Sequence, residues 1–268
     1  MDSVELKERS QAIRARFSAA AGTYDACAEV QGRVADWIVE WLQDVPCGGP
    51  ILEIGCGTGL LTRRLLAACP AADIHALDLS ARMIRQAAQI LPPTPRVNWI
   101  EADVRDHSSP IPYPLIVSSS SLHWIEPLSA TLSDVTALAV PGSFFVASIM
   151  LRNTLHELHH ARRQVAPRKE PAALLPDFDQ VLQCLESLQW RIVTAREELL
   201  VENYPSADGL LRTLHDQGVT GETGSHTRFP LNRGELNRLR HYYDAHYRHS
   251  GGGVTATYQV GLIKALKL

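Results

Sequence analysis

The chain has 268 residues, 45% apolar and 21% charged, with a formal net charge of -3, a balance that excludes a disordered chain and a strongly basic nucleic-acid binder. The first ten residues, MDSVELKERS, mix both charge signs without an apolar run, and the longest apolar stretch, Phe144 to Leu151, falls far short of the ~20 residues of a membrane span. Cys27, Cys47, Cys56, Cys69 and Cys184 form no C-x-x-C pair, which argues against a disulfide framework or structural zinc, so a monomeric cytoplasmic protein without membrane, nucleic-acid or metal partners is expected.

In chain order, N-terminal helices are expected over 1–45, among them an amphipathic helix from Val30 to Gln43 that Pro46, Gly48, Gly49 and Pro50 break. From 50 to 150 short apolar runs alternate with helical patterns. Strands are predicted at Ile51–Ile54, Ile74–Leu77, Val97–Glu101, Leu115–Ser118 and Ser143–Ile149, and helices begin near Gly59, Ser80 and Ser129, with Ser80 capping Ala81–Ile90. That βαβ alternation is the signature of a parallel sheet. Beyond Ile149 it fails: helices at Thr154–Val165 and Asp177–Leu188 precede a strand over Arg191–Val201 and a helix-rich stretch over Ser206–Arg248. A flexible Gly251–Gly253 turn leads into a last strand, Thr255–Ala265. The sheet is thus interrupted at 151–175 and 205–250. Residues 151–170 and 228–248 each carry five basic against two acidic groups, and 22 of the 26 basic residues are Arg, a side chain suited to forked recognition of carboxylate or phosphate.

The sharpest motif is Glu53-Ile54-Gly55-Cys56-Gly57-Thr58-Gly59, at a strand-to-helix junction. A glycine-rich bend there lets a ligand approach backbone amides and the helix N-terminus. A dinucleotide fingerprint would need Gly where Leu60 stands, and the absence of G-K-[ST] excludes a P-loop. Asp78 follows the second strand about 20 residues on, where a carboxylate accepts ribose hydroxyls, and Asp103 follows the third, where it can accept an adenine amine. No diphosphate neutraliser accompanies them, which suits a cationic nucleoside such as S-adenosylmethionine better than NAD. The histidines show no H-E-x-x-H spacing, and Cys56 lacks the context of a nucleophile, so packing under the cofactor is its expected role.

Together Glu53-x-Gly55-x-Gly57-x-Gly59, Asp78-Leu79-Ser80-x-x-Met83 and Asp103-Val104 resemble the cofactor motifs of class I S-adenosylmethionine-dependent methyltransferases. A narrower resemblance spans nearly the whole chain. Phe17-x-x-Ala20, Tyr24-Asp25, Ala28 and Gln31, Ser118 to Trp124, Leu155 to His159, Leu210-Leu211-Arg212 with Gly218-Val219, and Tyr258-x-x-Gly261 are similar to the malonyl-acyl-carrier-protein O-methyltransferases of biotin synthesis. The resemblance implies a Rossmann-like α/β fold, a seven-stranded mostly parallel sheet with flanking helices and a helical lid formed by the two insertions. It implies S-adenosylmethionine as cofactor, held by Gln31, Glu53, Gly55, Cys56, Gly57, Gly59, Asp78, Leu79, Met83, Asp103, Val104 and Ser118.

The reaction so implied is methyl transfer to the free carboxylate of malonyl-acyl carrier protein or malonyl-CoA. That carboxylate, with a pKa near ~4, is already ionised, so orientation and exclusion of water should suffice without a general base. Arg152 and Arg212 are candidates to hold it. Tyr24 could close over a sulfonium through its ring, a contact of about 0.5–2 kcal/mol. His123, where relatives often have Gln, either hydrogen-bonds substrate or caps a loop. A basic docking face for an acidic carrier is expected near Arg162, Arg163 and Arg168. A methyltransferase for a small polycarboxylate such as trans-aconitate, which the Leu122-His123-Trp124 region also resembles, and a non-catalytic cofactor-binding regulator remain alternatives.

Overall fold

Short, uninterrupted apolar runs are what a strand covered on both faces requires, and β1 (Ile51–Ile54) and β4 (Leu115–Ser118) are buried at every position. In the computed structural model, which describes residues 3–169, 175–219 and 230–268, these are the inner strands of a seven-stranded sheet. Parts of both expected insertions, 170–174 and 220–229, lie outside the described residues. With β2 (Ile74–Asp78), β3 (Val97–Glu101), β5 (Phe144–Met150), β6 (Trp190–Tyr204) and β7 (Val254–Lys267), the order is β3-β2-β1-β4-β5-β7-β6. The first five strands run parallel, and β7 is antiparallel to both β5 and β6. The mostly parallel sheet expected from the sequence is therefore present.

β6 and β7 run longer than the apolar pattern predicts. They pair from Trp190↔Lys267 to Tyr204↔Val254, so their polar ends find ladder partners beyond the reach of β5, which pairs with β7 only as far as Met150↔Val260. Alternate side chains of each strand feed two layers of core. Ile51 and Ile74 pack with Val34 and Ile38 of α3 (Glu29–Glu40) and Leu65 of α4 (Leu60–Ala68); Leu52 and Phe145 pack with Leu132 of α6 (Leu128–Ala137) and Leu185 of α8 (Phe178–Ser187). Trp190, buried in the second layer, satisfies its indole by donating to Thr136 Oγ1 at 2.8 Å.

The N-terminal third is helical as expected, but divided: α1 (Ser3–Ala20), a single turn α2 (Tyr24–Cys27), and α3, which stops before Gln43. α5 (Ala81–Ile90) starts on Ser80, whose hydroxyl accepts from Met83 N. After β5 comes α7 (His156–Val165); after β6 come α9 (Ala207–Asp216) and α10 (Arg233–His246), which divide the helix-rich stretch predicted as one. α9 and α10 are tied by Ala207 N donating to Asp244 Oδ1 at 2.7 Å, and Tyr243 of α10 donates to Thr255 O on β7. Among the described residues no helix is long and apolar enough to cross a membrane.

Candidate active site

The carboxyl ends of β1, β2 and β3 converge because a parallel sheet points them the same way. Between β1 and α4 the chain makes a tight turn in which Gly55, Gly57 and Gly59 all have positive φ, at +72°, +54° and +84°. Their surroundings differ. A Cβ on Gly55 would lie 1.8 Å from Ser121 Oγ, and one on Gly59 2.8 Å from Leu91, so these two serve close packing. A Cβ on Gly57 would meet nothing within 4 Å, which leaves an open backbone face.

Asp78, the last residue of β2, holds this loop: Oδ2 accepts from Gly57 N at 2.8 Å and Oδ1 from Ser80 N at 2.7 Å. Burial raises its pKa against the effect of those two N–H groups, and each oxygen retains a lone pair for another donor. Asp103, just beyond β3, takes Arg105 bidentately, Nε to Oδ1 at 2.9 Å and Nη2 to Oδ2 at 2.6 Å. Burial opposes its ionised form, but the Arg105 guanidinium and N–H prevail and hold the carboxyl below its usual range. Arg105 also donates to Ser10 Oγ of α1 and to Glu126 O.

Gly55, Gly57, Asp78, Leu79, Met83, Asp103 and Val104 line one side of a cleft of about 770 Å3, and α1 closes the other with Ser10, Ile13 and Phe17. α1 is fixed there by Arg9 with Glu126, Arg14 with Glu101, and Ser18 Oγ to Ser80 Oγ at 2.7 Å. Tyr24 leads from the cleft into two further spaces. One, a recess of about 310 Å3, is lined by Gln31, Cys56 and Gly57; burial drives the Cys56 thiol pKa well up, and Gln31 Oε1 is buried without a partner. The other is a chamber of about 470 Å3 bounded by Phe17, Tyr24, Gln31, Ser120, His123 and Trp124 on one side and by Met150, Thr154, Leu214, Gln217 and Tyr258 on the other. Phe17 and Trp124 meet edge to face, centroids 5.3 Å apart.

The chamber is uncharged among its described lining residues. Burial pushes the His123 pKa down to about 3, so its ring is neutral. Met150 N donates to His123 Nδ1 at 3.4 Å, which leaves the ring proton on Nε2. Burial, then Asp25 and Asp78, push the Tyr24 hydroxyl pKa up, so it too stays protonated.

Several residues expected at the site stand elsewhere. Glu53 lies beneath the loop, 1% exposed, accepting from Thr62 Oγ1 at 2.7 Å, and burial lifts its pKa to about 8. Ser118 is inside β4 with its hydroxyl on Ile54 O; its neighbours Ser119, Ser120 and Ser121 face the cleft instead, because the strand ends between them. Gly59 packs α4 against α5. Neither arginine proposed to grip a carboxylate lines the chamber: Arg212 is paired with Asp208 at 2.6 Å with its side chain 71% exposed, and Arg152 sits beside Asp177 at 3.7 Å. Arg212 lies mid-helix on the solvent face of α9 and Arg152 in the turn after β5, so both guanidinium groups reach solvent. Arg162 turns inward, Nε donating to Lys169 O, while Arg163 and Arg168 are exposed. Ser10, Ile13 and Gln217 line these spaces but belong to no motif of the sequence. Phe17 and Trp124 were present only within the resembling stretches.

A methyltransferase-domain family model matches residues 52–145, the glycine loop and the strand ends just described. The malonyl-acyl-carrier-protein O-methyltransferase of Hahella chejuensis is 30% identical over 249 residues, covering 92% of this chain and 86% of that protein. The chain belongs to the malonyl-acyl-carrier-protein O-methyltransferase family. Within that family, enzyme 2 of Ilyobacter polytropus is 26% identical over 245 residues, covering 91% of this chain and 93% of its own. Among solved structures, magnesium protoporphyrin IX methyltransferase from Synechocystis PCC 6803, with bound SAH, is similar with a TM-score of 0.63 at 15% identity over 97% of this chain and 100% of that one, a likeness of fold. The family resemblance thus extends through the insertions that bound the chamber, beyond the segment the domain model matches.

Proposed function

We propose that this chain methylates the free carboxylate of a malonyl thioester on acyl carrier protein, an early step of biotin synthesis, with S-adenosylmethionine as methyl donor. The observation that carries the reading is a chamber, uncharged among its described lining residues, that meets the glycine-loop cleft at Tyr24. The residues present fit the donor. Gly57 offers an open backbone, Asp78 has lone pairs left for hydroxyls, and the orphaned Gln31 Oε1 suits an ammonium group. No Lys or Arg is among the described residues lining the cleft, as a diphosphate would require. When bound, S-adenosylmethionine supplies a methyl carbon activated by its sulfonium.

The chain's own residues do the rest by position. A malonyl carboxylate is ionised at neutral pH, so the site needs no base. His123 Nε2–H and the Tyr24 hydroxyl present two neutral donors to it. They orient one oxygen while leaving electron density on the other, where a bidentate guanidinium would withdraw it from both. Phe17, Trp124 and Met150 exclude water that would solvate the nucleophile. A free polycarboxylate would bring further negative charge into a chamber whose described lining has no cation, which weighs against the trans-aconitate alternative. The exposed Arg163 and Arg168 support docking of an acidic carrier at α7 and the turn after it.

The test is transfer of labelled methyl to malonyl carrier protein, malonyl-CoA, butyryl carrier protein and trans-aconitate in parallel. Malonyl thioesters alone should be methylated. Methylation of the butyryl carrier, which has no free carboxylate, or preference for trans-aconitate overturns the reading; tight cofactor binding with no transfer to any acceptor points to the regulator.

A further inference from the structure

Two buried groups of the chamber have no partner and no part in the transfer just described: the Ser120 hydroxyl, which can donate or accept, and the Gln217 amide oxygen, which can only accept. Gln217, immediately after α9, is 2% exposed and lines the chamber together with Tyr24 and His123. Its Nε2 donates to the carbonyl of Cys27 at the end of α2. A carbonyl can only accept, so this bond fixes which way the side-chain amide faces. The other atom, Oε1, is buried and has no hydrogen-bond partner. A buried acceptor without a donor is costly, and native structures retain one chiefly where something else completes it.

The acceptor's own reacting end cannot complete it. A carboxylate and a thioester carbonyl both only accept, and an ionised free polycarboxylate has no donor anywhere. A carrier-linked thioester does have one. Two carbons beyond its sulfur, the aminoethanethiol arm carries an amide N–H, and Gln217 shares the chamber with the groups assigned to the carboxylate. We propose that Gln217 Oε1 accepts a hydrogen bond from the first amide N–H of the thioester arm, making it a positioning and specificity residue that selects arm-borne malonyl groups over free acids. The inference rests on the malonyl-thioester reading and deepens it. It assigns the arm's recognition to a neutral acceptor inside the chamber, separate from any basic docking surface outside, and the carrier and coenzyme A share the amide concerned.

Two synthetic substrates isolate that bond: malonyl S-(2-acetamidoethyl) thioester and malonyl S-(2-acetoxyethyl) thioester, which differ only by NH replaced with O. For the wild-type protein kcat/KM should favour the amide about tenfold, chiefly through KM, because the ester sets two acceptors against each other. In Gln217→Met the ratio should fall to within twofold, with cofactor affinity measured by calorimetry unchanged. Loss of the Cys27 anchor could loosen α9 against α2, but that would slow both substrates alike and leave the ratio intact. A wild-type ratio near one, or a ratio in Gln217→Met still near ten, overturns the role of Gln217 while the thioester reading stands. If neither thioester is methylated, the thioester reading fails and this inference with it.

Discussion

The cleft and the chamber meet at Tyr24 yet are built on opposite electrostatic terms. The cleft is walled by carboxylates, Asp78 and Asp103, each kept in place by donors from its own neighbourhood: Gly57 and Ser80 for one, Arg105 for the other. The chamber's described lining carries no formal charge at neutral pH, and its polar side chains are two tyrosines, a tryptophan, a histidine held neutral, a serine, a threonine and two glutamines. A cationic nucleoside is matched by fixed negative groups, whereas an anionic nucleophile that must stay reactive is better held by neutral donors, since its charge is dispersed as the methyl is transferred and a counter-charge would lower its ground state more than its transition state. Proximity of the two regions lets each supply what the other lacks.

The contrast breaks most sharply if the cleft can be filled without touching the chamber. Gly57→Val would put a branched side chain into the open face, and cofactor affinity by calorimetry should fall at least ~100-fold. The strained left-handed position should cost about 1–2 kcal/mol of stability, so the fold persists. Normal affinity in that variant would remove the glycine loop from the site.

Beneath the cleft, Glu53 gives a pH test of burial. Its pKa of about 8 lies above the ordinary 4.5, so between those values the native state keeps a proton that the unfolded chain has lost, and stability falls as pH rises from about 5 to 8. Glu53→Gln removes that slope. Relative to wild type it should gain roughly 3–4 kcal/mol on going from pH 5 to pH 8 in denaturant melts, and parallel curves for the two proteins would mean that Glu53 is ionised in the fold.

The chamber's neutrality is sharpened by His123. His123→Gln keeps an N–H donor and should stay within about threefold of wild type in kcat/KM, whereas His123→Phe should lose about tenfold with cofactor affinity unchanged. Because His123 titrates near 3 and the Tyr24 pKa is raised, kcat/KM for a malonyl thioester should be flat from pH 6 to 9 in this range of chamber groups. A bell-shaped profile would reveal a base in the chamber.

The smallest effect should come from outside both regions. Arg163→Glu with Arg168→Glu should raise KM for malonyl carrier protein about threefold and leave malonyl-CoA nearly untouched. Salt should reproduce that difference as the Debye length shrinks from about 10 Å at 0.1 M to about 3 Å at 1 M. Equal salt slopes for the two substrates would make those arginines a solvated helix face.

The cleft was legible in the sequence because its parts are local. Gly55, Gly57, Asp78 and Asp103 sit at successive strand ends, and a parallel sheet with short connections must bring such ends to one edge, so spacing along the chain translates directly into position. Spacing does not fix a side chain's direction: Glu53 accepts from Thr62 beneath the loop and the Ser118 hydroxyl donates to Ile54 O inside the sheet, since neighbouring residues of a strand face opposite ways. The chamber was not legible as a unit. Phe17, His123, Met150, Gln217 and Tyr258 come from five separate stretches, and no pattern along the chain says that they face one space. Arg212 had the chemistry expected of a carboxylate grip, but its place on α9 turns it to Asp208 and solvent, while Gln217, at the end of the same helix, is carried inward. Composition and periodicity determine which elements form and in what order. Which of their polar atoms end buried and unpaired depends on how distant elements pack, and that only the tertiary structure decides.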